Sequence, residues 1–118
     1  MGSTRHINFK SIDNGNMGGN VTGSNIDISL CNKVSVQTIW ANGTSPVGDV
    51  QLQVSNDGGT TFNAFGATMA VSGASGNDIE LPNNNGDCPF DLIRAVYNRT
   101  SGSGIGLDVY IVAKGGGN

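Results

Sequence analysis

The sequence predicts an all-β protein, a single antiparallel β-sandwich of about eight strands spanning residues 1–118. Three observations predict it. Apolar residues alternate with polar ones at period two, and no segment sustains the three-and-four spacing of a helix. Clusters of Gly, Asn, Ser and Asp punctuate the alternating segments at short intervals. The run Ser55-Asn56-Asp57-Gly58-Gly59-Thr60-Thr61-Phe62 directly follows the alternating Val50–Val54 and fits the Asp-box pattern Ser-x-Asp-x-Gly-x-Thr-aromatic. In such a turn Asp57 accepts backbone N–H groups, Gly59 takes a positive φ without Cβ strain, and Phe62 plugs the turn into the core. Ser55, Asp57, Gly59, Thr61 and Phe62 are therefore expected to form a structural hairpin turn.

In chain order, Ile7 and Phe9 mark a first strand, followed by a loop over Asp13–Asn20. Ile26, Ile28 and Leu30 share one face of a second, and Val34, Val36, Thr38 and Trp40 one face of a third, closed by a turn at Asn42–Pro46. Val50, Leu52 and Val54 form the buried side of the first hairpin strand, whose return begins near Thr61. Short pieces follow around Thr68–Val71 and Asp78–Leu81, then a polar surface loop over Pro82–Pro89. Leu92–Asn98 is apolar enough for a central strand. Ile105–Val112 is its expected hairpin partner, burying Ile105, Leu107, Val109 and Ile111, with Ser101–Gly104 as the turn. This count fits a jelly-roll or an immunoglobulin-like topology, and both remain open. Residues 1–4 and 115–118 are expected to be flexible arms.

Composition narrows the function. With six Lys and Arg scattered among nine acids, net charge −3, there is no basic stripe for phosphates, and nucleic-acid binding is not expected. No apolar run reaches the ~20 residues of a membrane helix, and Met1–Phe9 lacks the apolar centre of a signal peptide, so neither membrane insertion nor conventional export is expected. Cys31 and Cys88 form no Cys-x-x-Cys pair, and whether they join in a disulfide is open. A surface with only 13% charged residues, rich in uncharged polar side chains, suits burial against neighbouring subunits.

Chemistry is hard to find. His6, the single histidine, sits near one end of the sequence with no nucleophile motif, and there is neither a Gly-x-Ser-x-Gly elbow nor a Gly-Lys-Ser/Thr phosphate loop. Most carboxylates flank turns, where Asp caps backbone, rather than forming a pair suited to glycoside hydrolysis. Asp13-Asn14-Gly15-Asn16 lacks the later ligands of a calcium loop. A sialidase propeller repeats its Asp-box blade after blade, which this length cannot supply. No enzyme activity, cofactor or metal is expected. Trp40, Tyr97, Tyr110 and Phe62 offer a candidate sugar-stacking platform, although Trp40 also suits core or rim packing. Tyr110, opposite in parity to Val109 and Ile111, is the surface candidate for a glycan or another subunit.

Two segments carry a family resemblance. Val50–Gly59 followed by an aromatic, and Ile93-Arg94-Ala95-Val96-Tyr97-Asn98-Arg99-Thr100-Ser101-Gly102-Ser103-Gly104 with the closing Ala113-Lys114-Gly115, resemble small β-sandwich structural proteins of bacteriophage virions. The resemblance spans about Lys33 to Gly115. It implies a capsid, decoration, vertex or tail-associated subunit in the virion, without enzymatic activity, whose partners are copies of itself in a homo-oligomer or other virion proteins. Arg94 and Arg99 then become candidates for inter-subunit hydrogen bonds, or for neutralising Asp87 and Asp91. The rival reading is a carbohydrate- or receptor-binding β-sandwich module.

Overall fold

Among the described residues, period-two alternation becomes nine strands: β1 Arg5–Asn16, β2 Val21–Thr22, β3 Ile26–Asp27, β4 Lys33–Trp40, β5 Thr44–Ser55, β6 Asn63–Ser72, β7 Gly76–Glu80, β8 Leu92–Ser103 and β9 Ile105–Gly115. The computed structural model describes residues 5–115; the expected arms at 1–4 and 116–118 lie outside the described residues. Gly115, expected in an arm, instead closes β9, buried and paired with Arg5. One sheet, called A, has the order β1-β9-β4-β7; the other, B, has β2-β8-β5-β6, with β3 also paired to β8. All pairings are antiparallel.

Because β2 and β3 pair with successive parts of β8, they act as one interrupted edge strand. Counted so, among the described strands only β5 to β6 joins neighbours within a sheet, and the other connections cross the sandwich. Of the two topologies left open by the sequence, this is the jelly roll.

Between the sheets lie the side chains that alternation assigns to the core. Val34, Val36, Thr38 and Trp40 of β4 meet Val50, Leu52 and Val54 of β5, with Ile93, Ala95 and Tyr97 of β8 and Leu107, Val109, Ile111 and Ala113 of β9. Burying each large aliphatic among them stabilises the fold by about 1.5–3 kcal/mol.

Local corrections to the sequence reading have local causes. The polar stretch Asp13–Asn16 is not loop but the end of β1. Bulges between Lys10 and Asn16 keep it paired to β9, and Asn14 N–H donates to the Asp108 carboxylate at 2.8 Å. The second strand stops at Asp27, whose carboxylate accepts the Ser29 N–H, while Cys31 N–H returns to the Ile28 carbonyl. That turn buries Ile28 and leaves Leu30 65% exposed. Thr44–Pro46, read as turn, opens β5 across a register shift against β8.

The return strand and the Thr68–Val71 piece are one strand, β6. Leu52 faces Phe65 and Val50 faces Met69, two steps along β5 against four along β6, so the extra residues at Gly66 break the alternation without ending the strand. The largest correction concerns β8 and β9, which are not a hairpin. They belong to opposite sheets, joined at Gly104, whose φ of +126° turns the corner. A Cβ there would stand 2.6 Å from the Asn42 carbonyl oxygen, so glycine is required by space as well as by conformation. Ile105, expected in the core, is 54% exposed on this corner. The Pro82–Pro89 loop holds a 3-10 turn at Pro82–Asn84, a bridge between Lys33 and Asp87, and a fully buried Cys88.

Candidate functional site

The β5–β6 turn closes through its own polar atoms. Ser55 Oγ donates to Asp57 Oδ1 at 2.7 Å and accepts the Gly59 N–H at 3.1 Å; Asp57 Oδ1 also accepts the Thr61 N–H at 2.9 Å. Gly59 has φ +91°. The Thr61 N–H first, then the Ser55 hydroxyl, hold the Asp57 carboxyl below the usual carboxylate range. Phe62 departs from expectation. It does not enter the core, because Phe65 takes that position and meets Phe90 edge to face at 5.5 Å. Phe62 instead lies 3.8 Å below the guanidinium carbon of Arg94.

Arg94 Nε donates to Gln53 Oε1 at 2.8 Å, and Arg99 Nε to the Gly102 carbonyl at 2.8 Å. Neither neutralises Asp87 or Asp91. Among the described residues the ion pairs are Lys10–Asp13, Lys10–Asp108 and Lys33–Asp87, so the bridge of β4 to the 82–89 loop places a lysine, not an arginine, on Asp87.

The four aromatic residues do not form one platform. Trp40 and Tyr97 are buried, the Trp40 indole N–H donating to the Gly73 carbonyl at 3.2 Å, while Phe62 lies in the turn between β5 and β6 of sheet B and Tyr110 on β9 of sheet A. The outer face of sheet A is the surface that gathers apolar side chains. Its register sets Asn8, Val112 and Ser35 in one row, then Lys10, Tyr110, Gln37 and Ile79, then Asp108, Ile39 and Asn77. A depression of ≈ 370 Å³ opens between Asn8, Gln37, Ile39, Ile79, Tyr110 and Val112. Tyr110 is half-buried there, its ring centroid 5.2 Å from Lys10 Nζ. Sequence reasoning singled out Tyr110 but missed Ile39, Ile79 and Val112. The signal was present, since apolar residues at both parities of β4 and β9 mark strands with two faces to cover.

Both cysteines are buried, and desolvation, with Cys31 close by, pushes the Cys88 thiol up to about 12. Among the described residues no group of three or more His, Cys, Asp or Glu could hold a metal ion, and no helix is long and apolar enough to cross a membrane.

Fold and surface together define a jelly-roll β-sandwich with one partly apolar outer sheet face. The sequence matches no protein-family model and no curated protein. Among solved structures, the chain is similar to the SPBc2 prophage-derived protein YomS, with 14% identity, a TM-score of 0.53, and 97% of this chain matched to 96% of that one. It is also similar to a chain in the structure of infectious bursal disease virus Gt strain, at 13% identity and a TM-score of 0.56 over 95% of this chain, and to its counterpart in the Gx strain, at 14% identity and 0.54. This chain spans 33% of the length of each virus chain. At these identities the likeness is one of fold.

Proposed function

We propose that this chain is a non-enzymatic structural subunit of a bacteriophage virion, working by association with copies of itself or with other virion proteins. The observation that carries this reading is the jelly roll itself, matched end to end by a prophage-derived protein and over nearly its whole length by part of a virus chain. The surface supports it. Charged side chains are few, and Ile79 and Leu81 on and beside the β7 edge are 65% and 55% exposed, apolar area that an assembled neighbour would cover. In this reading Arg94 and Arg99 supply hydrogen bonds between subunits, and the Ser55–Phe62 turn keeps the β5–β6 hairpin rigid at its end of the sandwich. The carbohydrate-binding alternative loses its platform with the burial of Trp40 and Tyr97.

The test is the mass of the purified protein by light scattering, with negative-stain microscopy of the same sample. Symmetric oligomers, shells, or saturable binding to phage particles support the reading. A monomer that binds no particle, but shows sugar-dependent protection of Tyr110, overturns it.

A further inference from the structure

We propose that the outer face of sheet A docks on the same face of a second copy, about a two-fold axis that crosses the strands between the Val112 and Tyr110 rows. The inference rests on the self-association reading above and names the surface that performs it.

β9 lies inside sheet A between β1 and β4. Its outward residues are Asp108, Tyr110, Val112 and Lys114, an order of acid, apolar, apolar, base. Set antiparallel against itself, that order is self-complementary. Each Lys114 meets Asp108 of the second copy, and each Val112 meets Tyr110. A two-fold interface requires this property, since every contact is made twice by the same patch.

Neighbouring strands leave the complementarity intact. At the acidic end Lys10 lies 3.0 Å from Asp13 and 3.3 Å from Asp108, so one cation serves two anions and a negative charge remains. At the other end Lys33 is taken by Asp87, while exposed Lys114 has no ion pair among the described residues and leaves a positive charge. Between these ends Lys10, turned toward Asp13 and Asp108, is the one charged side chain among the described residues, and Ile39, Ile79, Tyr110 and Val112 surround the depression. Two sheets stacked face to face lie about 10 Å apart, a separation that side chains from both must fill. Tyr110 of each copy would enter the depression beside Val112 of the other. Charge complementarity at both ends therefore selects a second copy in one orientation as the occupant.

The experiment measures mass against concentration by sedimentation or light scattering. Lys114→Asp sets acid against acid at both ends and is expected to raise the dissociation constant by about 100-fold. Asp108→Lys, which sets base against base, is expected to do the same. Mixing the two single variants restores association, because every cross-copy pair is again opposite in sign. Asp108 also accepts the Asn14 N–H, so a second readout avoids changing it. Added salt weakens association of the unmodified chain and strengthens that of Lys114→Asp, as screening removes attraction in one and repulsion in the other. Val112→Asp is expected to abolish the dimer while the melting transition persists. If the chain assembles but Lys114→Asp and Val112→Asp leave its mass unchanged, this surface is not the interface, and the virion reading stands. If those variants keep their mass but lose binding to phage particles, the occupant is another protein and the two-copy inference falls. A chain that stays monomeric at every concentration and binds no particle ends both.

Discussion

Asp57 shows how a single exposed side chain organises a turn. One oxygen accepts the Ser55 hydroxyl and the Thr61 N–H, and both favour the ionised form. Because the folded chain holds this carboxyl below its ordinary value, its contribution is complete above about pH 4 and disappears as pH falls through the lowered value. Asp27 and Asp87 are lowered too, by Ser29 and by Lys33, so acid should weaken the fold at three turns together. Asp57→Asn is expected to lower the melting temperature by a few degrees at neutral pH. It should also flatten the loss of stability on acidification, as followed by circular dichroism. Tyr97 is the converse. Its hydroxyl is buried without a protein partner among the described residues, and burial raises its pKa. Tyr97→Phe removes no hydrogen bond and should change the unfolding free energy by less than about 1 kcal/mol in denaturant titration.

At the scale of elements, Ser11 does what alternation cannot show. Its Oγ accepts the Ala95 N–H of β8 at 2.9 Å and donates to the Ser24 carbonyl at 2.7 Å, tying β1 of sheet A to sheet B at a closed edge of the sandwich. Ser11→Ala would leave a buried N–H unpaired and should cost about 1–3 kcal/mol in the same titration. In the sequence Ser11 is one serine among many, because its partner lies 84 residues away. The inner faces of β4, β5 and most of β9 were legible, since period two survives wherever a strand stays in register. Legibility failed where a bulge added residues, as at Gly66, and where an Asx turn ended a promising strand, as after Asp27. It failed most at Gly104, because a glycine-rich link between two alternating strands looks the same whether the chain folds back in its own sheet or crosses to the other. Only the packing of Gly104 against Asn42 and Gly43, remote in sequence, decides between them.

At the scale of the whole molecule, fold class was readable while the candidate surface was only half so. Tyr110 could be placed outward by parity alone, but its neighbours come from β1, β4 and β7, and their alignment exists only once sheet A has formed. The proposed docking of two copies predicts that assembly depends on that face. Val112→Asp should therefore yield particles or oligomers that are fewer or absent by negative stain, from protein whose circular dichroism matches the unmodified chain.

The pairing of Arg5 with Gly115 governs more than shape. β1 precedes the other described strands yet has its sheet partner in β9, which follows them all, and β4 too waits for β9 to reach it on that side. A growing chain thus holds β1 unsatisfied until β9 has emerged, and sheet A closes only then. Refolding is expected on the order of milliseconds to seconds rather than microseconds, as such distant pairings require. Stopped-flow tryptophan fluorescence would time that event, because Trp40 lies on β4, directly across from Leu107 of the arriving strand.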